Sequence, residues 1–151
     1  MITAEQIKAL RERTGVSIGE CKKALEAASG DLEQAIAALR TQSAATAEKK
    51  SGRTLGAGVV SSYLHTTGTV GVLLELGCET DFVAKNADFK QLADDLAMHV
   101  AAFNPVSVEE LATQPFIKDQ TLTVADLVKS AVQKFGERTE IMRFSRFEVG
   151  A

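Results

Sequence analysis

Val59-Val60-Ser61-Ser62-Tyr63-Leu64, His65-Thr66-Thr67-Gly68-Thr69 and Val70-Gly71-Val72-Leu73-Leu74-Glu75-Leu76 follow one another without interruption. In this stretch the apolar spacing of the chain turns from the helical period to the strand period. Two runs rich in β-branched residues flank a polar segment with glycine at its turn, the pattern of a β-hairpin. The tail, Ile141 to Val149, supplies a third strand. Its apolar face is 142 and 144 at first and 147 and 149 afterwards, so the alternation slips by one near Ser145, where a bulge or sharp twist is expected. Between hairpin and tail, Phe89, Leu92, Ala93, Leu96 and Val100 mark a long helix that ends at Asn104-Pro105. Ser107 caps a short helix over Val108 to Ala112. Thr123-Val124-Ala125-Asp126 opens another, with Leu127, Val128, Ala131 and Phe135 inward and Gly136 just past its end. Residues 56–151 therefore read as an α+β core, a three-stranded antiparallel sheet with helices packed on one face.

Upstream the period is helical throughout. Thr3-Ala4-Glu5-Gln6 has the form of a capping box, in which the Thr hydroxyl and the Gln side chain each satisfy an orphan amide. Ile7, Leu10 and Thr14 share a face before Gly15 stops that helix. Ser17 caps a second, with Ile18, Cys21, Leu25 and Ala28 on one side, and Asp31 caps a third, with Leu32, Ala35, Ile36 and Leu39 at helical spacing. Residues 1–41 form a compact three-helix module. Residues 42–55 are polar and small, without an apolar face, and read as a linker, helical at most at its start.

The chain has 151 residues, 45% of them apolar, with 17 Lys and Arg against 20 Asp and Glu, a net charge of −3. That length and apolar fraction suffice for a packed core and exclude disorder over most of the chain. Nucleic-acid and anionic-membrane binding need a concentrated basic surface. Residues 1–55 carry only nine basic against seven acidic residues, residues 56–151 eight against thirteen, and no aromatic platform accompanies the slight N-terminal excess. Cys21 and Cys78 have neither CxxC spacing nor a neighbouring His, so buried thiols are expected rather than a disulfide or a zinc site. The start lacks a basic segment followed by an apolar run, and no stretch is long enough to span a bilayer; a cytoplasmic protein is expected.

No catalytic constellation is legible, and no metal or cofactor is expected. His99 lies within an apolar helix, where a packing role is expected. The glycines of Ser51-Gly52-Arg53-Thr54-Leu55-Gly56-Ala57-Gly58 lack phosphate-loop spacing and read as the opening of a strand. Asp94-Asp95, beside Lys90, reads as a solvated helix face. The segment Cys78-Glu79-Thr80-Asp81-Phe82-Val83-Ala84-Lys85-Asn86 is different, because it puts a large apolar side chain directly after a carboxylate at a strand's end. Two readings stand: a helix start with Thr80 or Asp81 as cap and Phe82 tucked inward as a staple, or a protruding contact residue that fills a partner's pocket, worth about 1.5 to 3 kcal/mol in burial alone.

The run Cys78-Glu79-Thr80-Asp81-Phe82-Val83-Ala84 resembles the hallmark loop of the elongation factor Ts family, bacterial nucleotide-exchange factors for elongation factor Tu. Leu10-Arg11-Glu12-Arg13-Thr14-Gly15 with Cys21-Lys22-Lys23-Ala24-Leu25 is similar to that family's N-terminal module, of the ubiquitin-associated type. Arg143-Phe144 through Arg146-Phe147-Glu148-Val149-Gly150 resembles its last core strand.

The resemblance implies that the N-terminal module docks on the GTPase domain through Arg13, Val16 and Ile18. It implies that Thr80, Asp81, Phe82 and Val83 reach factor Tu near its magnesium and disturb the ion's coordination. Phe135-Gly136 would face the phosphate-binding side, and His65 would match a contact found in the second core half of longer members. This chain resembles a short form with a single core half, so a homodimer is expected in which one protomer presents Asp81-Phe82 and the other His65. The competing expectation is an adaptor that uses the three-helix module to bind another protein without exchange activity; it leaves the Asp81-Phe82 loop without a task.

Overall fold

A computed structural model describes all of residues 1–151. Helices α1 (Ala4–Thr14), α2 (Ile18–Ala27) and α3 (Leu32–Lys50) open the chain. Each starts on the cap its sequence announces. Thr3 and Gln6 complete the capping box, Ser17 accepts from the Glu20 amide, and Asp31 accepts from the Gln34 amide. Gly15 ends α1 at φ 71°, the left-handed region that glycine enters without strain. Leu10, Val16, Cys21, Leu25, Ala35, Ile36 and Leu39 close into one apolar core.

The rest of the chain runs β1 (Ala57–Leu64), β2 (Val70–Cys78), α4 (Asp81–Ala84), α5 (Ala87–Phe103), α6 (Val108–Thr113), β3 (Pro115–Phe116), β4 (Asp119–Thr123), α7 (Val124–Phe135) and β5 (Glu140–Glu148). The expected three-stranded antiparallel sheet is present in the order β1-β2-β5. Val72, Leu74 and Leu76 of β2 face a second core shared with Phe89, Leu96 and Val100 of α5. His99 is fully buried: its Nδ1 accepts from the Ile117 amide at 3.1 Å, and Nε2 bonds Gln114 Oε1 at 2.9 Å. Burial lowers its pKa from the ordinary value. Asp94 and Asp95 are put to structural use, Asp94 bonding Ser61 of β1 and Asp95 pairing with Lys118 at 3.2 Å.

Three expectations need correction. The slip in the last strand lies at Met142, not near Ser145: Glu75 opposes Arg143 while Leu76 opposes Ile141, leaving Met142 as the extra residue. Ile141 and Phe144 then point inward, followed by Arg146, whose guanidinium donates to the Ala101 carbonyl at 3.1 and 3.0 Å. A carbonyl in the last turn of α5 lacks a helical partner. Arg146 supplies one, and this parity turns Phe147 and Val149 out to solvent.

Second, the stretch expected as a linker is helical through Lys50, so only 51–56 is irregular. The end of α3 packs along α7, with Ser43 buried and bonded to Gln133, and Lys50 Nζ donating to the Gly136 carbonyl at 2.7 Å. Small side chains such as Ser43 and the half-buried Ala44 and Ala47 bury little apolar area, so no apolar stripe announces the contact. Third, β3 and β4 form a small hairpin the sequence did not announce, which buries Phe116 against the His99 ring at a centroid distance of 5.9 Å.

Candidate functional site

The segment from Cys78 to Asn86 is a one-turn helix held between a strand end and a helix start. Thr80, at φ −130° and ψ 155°, is the N-cap of α4, and its Oγ accepts from the Val83 amide at 3.4 Å. Asn86 caps α5 two residues after α4 ends, accepting from Asp88 at 2.8 Å. One helical turn cannot turn four side chains the same way. Val83 and Ala84 enter the core, while Asp81 and Phe82 face solvent, Phe82 at 87% relative exposure. The staple arrangement is therefore not adopted. Val83, expected among the contact residues, is 6% exposed and belongs to the core.

A residue outside the expected set holds this turn. The Glu137 carboxylate accepts from the Glu79 amide at 3.1 Å, the Thr80 amide at 3.0 Å and the Thr80 hydroxyl at 2.7 Å. In return, the Glu79 carboxylate accepts from the Arg138 amide at 2.5 Å and pairs with Arg53 at 3.4 Å. The Arg138 guanidinium donates to the Arg53 carbonyl at 2.6 Å. Beneath the turn, burial and then the Glu137 charge push the Cys78 thiol up, so it stays protonated and inert. Nothing in the periodicity could reveal Glu137, because its bonding partners stand 57 and 58 positions earlier.

Glu137 follows Phe135-Gly136, so it brings that expected pair beside Thr80, Asp81 and Phe82. Phe135 is half-buried, edge-on to Phe89 at 5.6 Å, and Gly136 is exposed at φ 73°. The turn between α1 and α2 lies on the same flank: Arg13, Gly15 and Val16 line a cleft of about 270 Å³ together with Lys134 and Phe135 of α7. A Cβ on Gly15 would stand 2.8 Å from Lys134 Cδ, and Lys134 pairs with Asp88 at 3.1 Å. Arg13 pairs with Glu33 at 2.7 Å. Ile18, expected on the inner face of α2, is 57% exposed, whereas Val16 is 3% exposed and fills the helical core in its place. Val16 is thus not available as a contact.

His65 is not brought to this flank. It follows the Leu64–Gly71 pair at the hairpin end of the sheet, while Cys78 pairs with Ala57 at the other. The ends are about 24 Å apart at the usual rise of a strand. His65 is exposed, with its Nδ1 3.0 Å from the Tyr63 hydroxyl. The sheet face turned away from the helices carries exposed Val60, Leu64, Leu73, Met142 and Phe147, with one ion pair among them, Arg143 to Glu75 at 2.9 Å.

The family model described as Elongation factor TS matches residues 5–110 and 79–151, which together take in nearly the whole chain. The elongation factor Ts of Syntrophomonas wolfei is 42% identical over 195 aligned residues, covering 99% of this chain and 91% of the relative. That of Synechocystis sp. is 39% identical, covering 99% and 89%. A relative of the same name from Clostridium kluyveri is 45% identical over 149 residues, which are 99% of this chain and 49% of the relative.

Proposed function

The chain belongs to the elongation factor Ts family, and on that premise we propose how its surface performs nucleotide exchange on elongation factor Tu. The function is guanine-nucleotide exchange in translation elongation. A GTPase holds GDP through loop amides, a lysine and a bridging magnesium. A factor that binds the empty form more tightly than the loaded one lowers nucleotide affinity tenfold for each 1.4 kcal/mol of preference, and nucleotide weakens the factor's binding equally. Contact energy suffices for this, without a catalytic group.

The observation that carries the assignment of residues is Phe82, 87% exposed on a turn whose neighbouring side chains are held. Asp81 and Phe82 are the residues that intrude near the partner's magnesium, with Thr80 shaping the turn. Phe135-Gly136, bonded to the same turn through Glu137, approaches the phosphate-binding side. Residues 1–41, taken as a ubiquitin-associated-type module, dock on the GTPase domain through Arg13 and the exposed Ile18. An adaptor without exchange activity finds no support in the comparisons.

The functional unit is a homodimer joined through the outer sheet face. What supports this is the set of apolar side chains exposed on that face. A two-fold axis across the strands sets the hairpin tip of one copy over the Cys78 end of the other. The His65 of one protomer then stands near the Asp81-Phe82 of its partner. Release of labelled GDP from elongation factor Tu tests the reading: acceleration by the wild-type chain is expected, and none would refute it.

A further inference from the structure

We propose that Glu137 is the positioning residue of the exchange surface: its carboxylate fixes the Asp81-Phe82 turn and ties it to the Phe135-Gly136 turn, so that both press on the partner as one body. This rests on the exchange reading above and adds to it the part that transmits force. A protruding Phe changes a partner only if its own support does not yield, and α4 has little support of its own. It is four residues long, and its cap bond, Thr80 Oγ to the Val83 amide, is long at 3.4 Å. The strong bonds at its entry are the three to Glu137, at 3.1, 3.0 and 2.7 Å.

The chemistry of that carboxylate is specific. Glu137 takes part in none of the ion pairs of the chain, so its charge is met by two amides and a hydroxyl. Charge-assisted bonds of this kind are roughly twice as strong as neutral ones. Glu79 answers from the facing segment by accepting from the Arg138 amide, so the two segments each hold the other's backbone. Behind Glu137, Lys50 binds the Gly136 carbonyl and Ser43 binds Gln133, which extends the support through α7 into α3. A load on Phe82 thus passes by hydrogen bonds into the helical module.

The test is stopped-flow release of labelled GDP from elongation factor Tu, titrated with wild-type chain and with Glu137→Gln. A glutamine keeps the volume and the oxygen that both amides share, but it removes the charge and turns an NH2 group toward the Thr80 hydroxyl in place of an acceptor. The maximal release rate is expected to fall about tenfold, the size expected for one lost charge-assisted bond. The half-saturating concentration should move less than about threefold, because the contact side chains are untouched. Amide exchange at Glu79 and Thr80 should rise about tenfold while α5 stays protected. In a Phe82→Ala background the same substitution should change the rate by less than about twofold, since a support for an absent side chain has nothing to deliver. A purely structural role would instead repeat the full loss in that background. If Glu137→Gln does not fold, Thr80→Val removes one of the three donors and is read in the same cycle. An unaltered maximal rate, or a loss that adds fully to Phe82→Ala, overturns the role. A wild-type chain that releases no GDP overturns the exchange reading and the role with it, an outcome distinct from an active wild type with an unaffected variant.

Discussion

Two regions of this molecule expose apolar side chains, and they do so in opposite ways. The α4 turn exposes one ring on a short helix held by a carboxylate from another part of the chain, while the outer sheet face exposes Val60, Leu64, Leu73, Met142 and Phe147 across three paired strands. The first is a point and the second an area. A point acts by where it is held, so its evidence is hydrogen bonding around it. An area acts by the water it sheds, so its evidence is breadth. On the proposed reading exchange belongs to the first and assembly to the second, and each half can be broken separately.

The largest effect is expected at the area. Phe147→Asp puts a carboxylate on the proposed dimer face. Burial of one such ring is worth about 1.5 to 3 kcal/mol, and a two-fold interface contains it twice. The dimer dissociation constant should rise on the order of a thousandfold. Sedimentation equilibrium reads this directly, and thermal unfolding of the isolated chain should be little changed because Phe147 is already 75% exposed. A wild-type chain that is monomeric at all concentrations would remove the area half of the comparison.

Next comes the point. Phe82→Ala should lower the rate of GDP release about ten- to a hundredfold, from the same burial energy counted once. Dimerisation and the melting temperature should be unaffected, which separates this variant from Phe147→Asp. Release at the wild-type rate by a folded Phe82→Ala chain would leave the function standing and the assigned point of contact wrong.

How far each region was legible follows from the range of the interactions that build it. Caps act over three residues, and Thr3, Ser17, Asp31, Ser107 and Thr123 all cap as their sequence context indicates. The hairpin and the long helix are likewise set by local period. The sequence singles out Phe82, but local spacing leaves it balanced between core and solvent; the balance is decided by Val83 and Ala84 taking the buried side of a single turn. Glu137 was invisible because its partners are remote in sequence. The outer face is half legible: the alternation marks Phe147 and Val149 as apolar but assigns them inward. The Met142 bulge shifts the inward parity to Phe144 and Arg146, whose guanidinium meets the Ala101 carbonyl, and so turns Phe147 outward.

The smallest effect belongs to neither region and so serves as a control for both. Burial lowers the His99 pKa from its ordinary 6.5, while the unfolded chain keeps an ordinary imidazole. Below that value the unfolded state binds the proton first, so it gains protons relative to the fold. Stability is therefore fully present above about pH 6.5 and declines as pH falls toward the depressed folded value. Between pH 7 and 5.5, above the range where most carboxylates titrate, the urea midpoint of the wild-type chain should fall. In His99→Gln the midpoint starts lower, since the Ile117 and Gln114 bonds are disturbed, but the slope with pH should be flatter. His99 bonds into the common core rather than into α4 or the outer face, so acid should weaken exchange and dimerisation in parallel. If acid abolished one and spared the other, the two regions would rest on separate supports, and the single core behind them would not be what holds both in place.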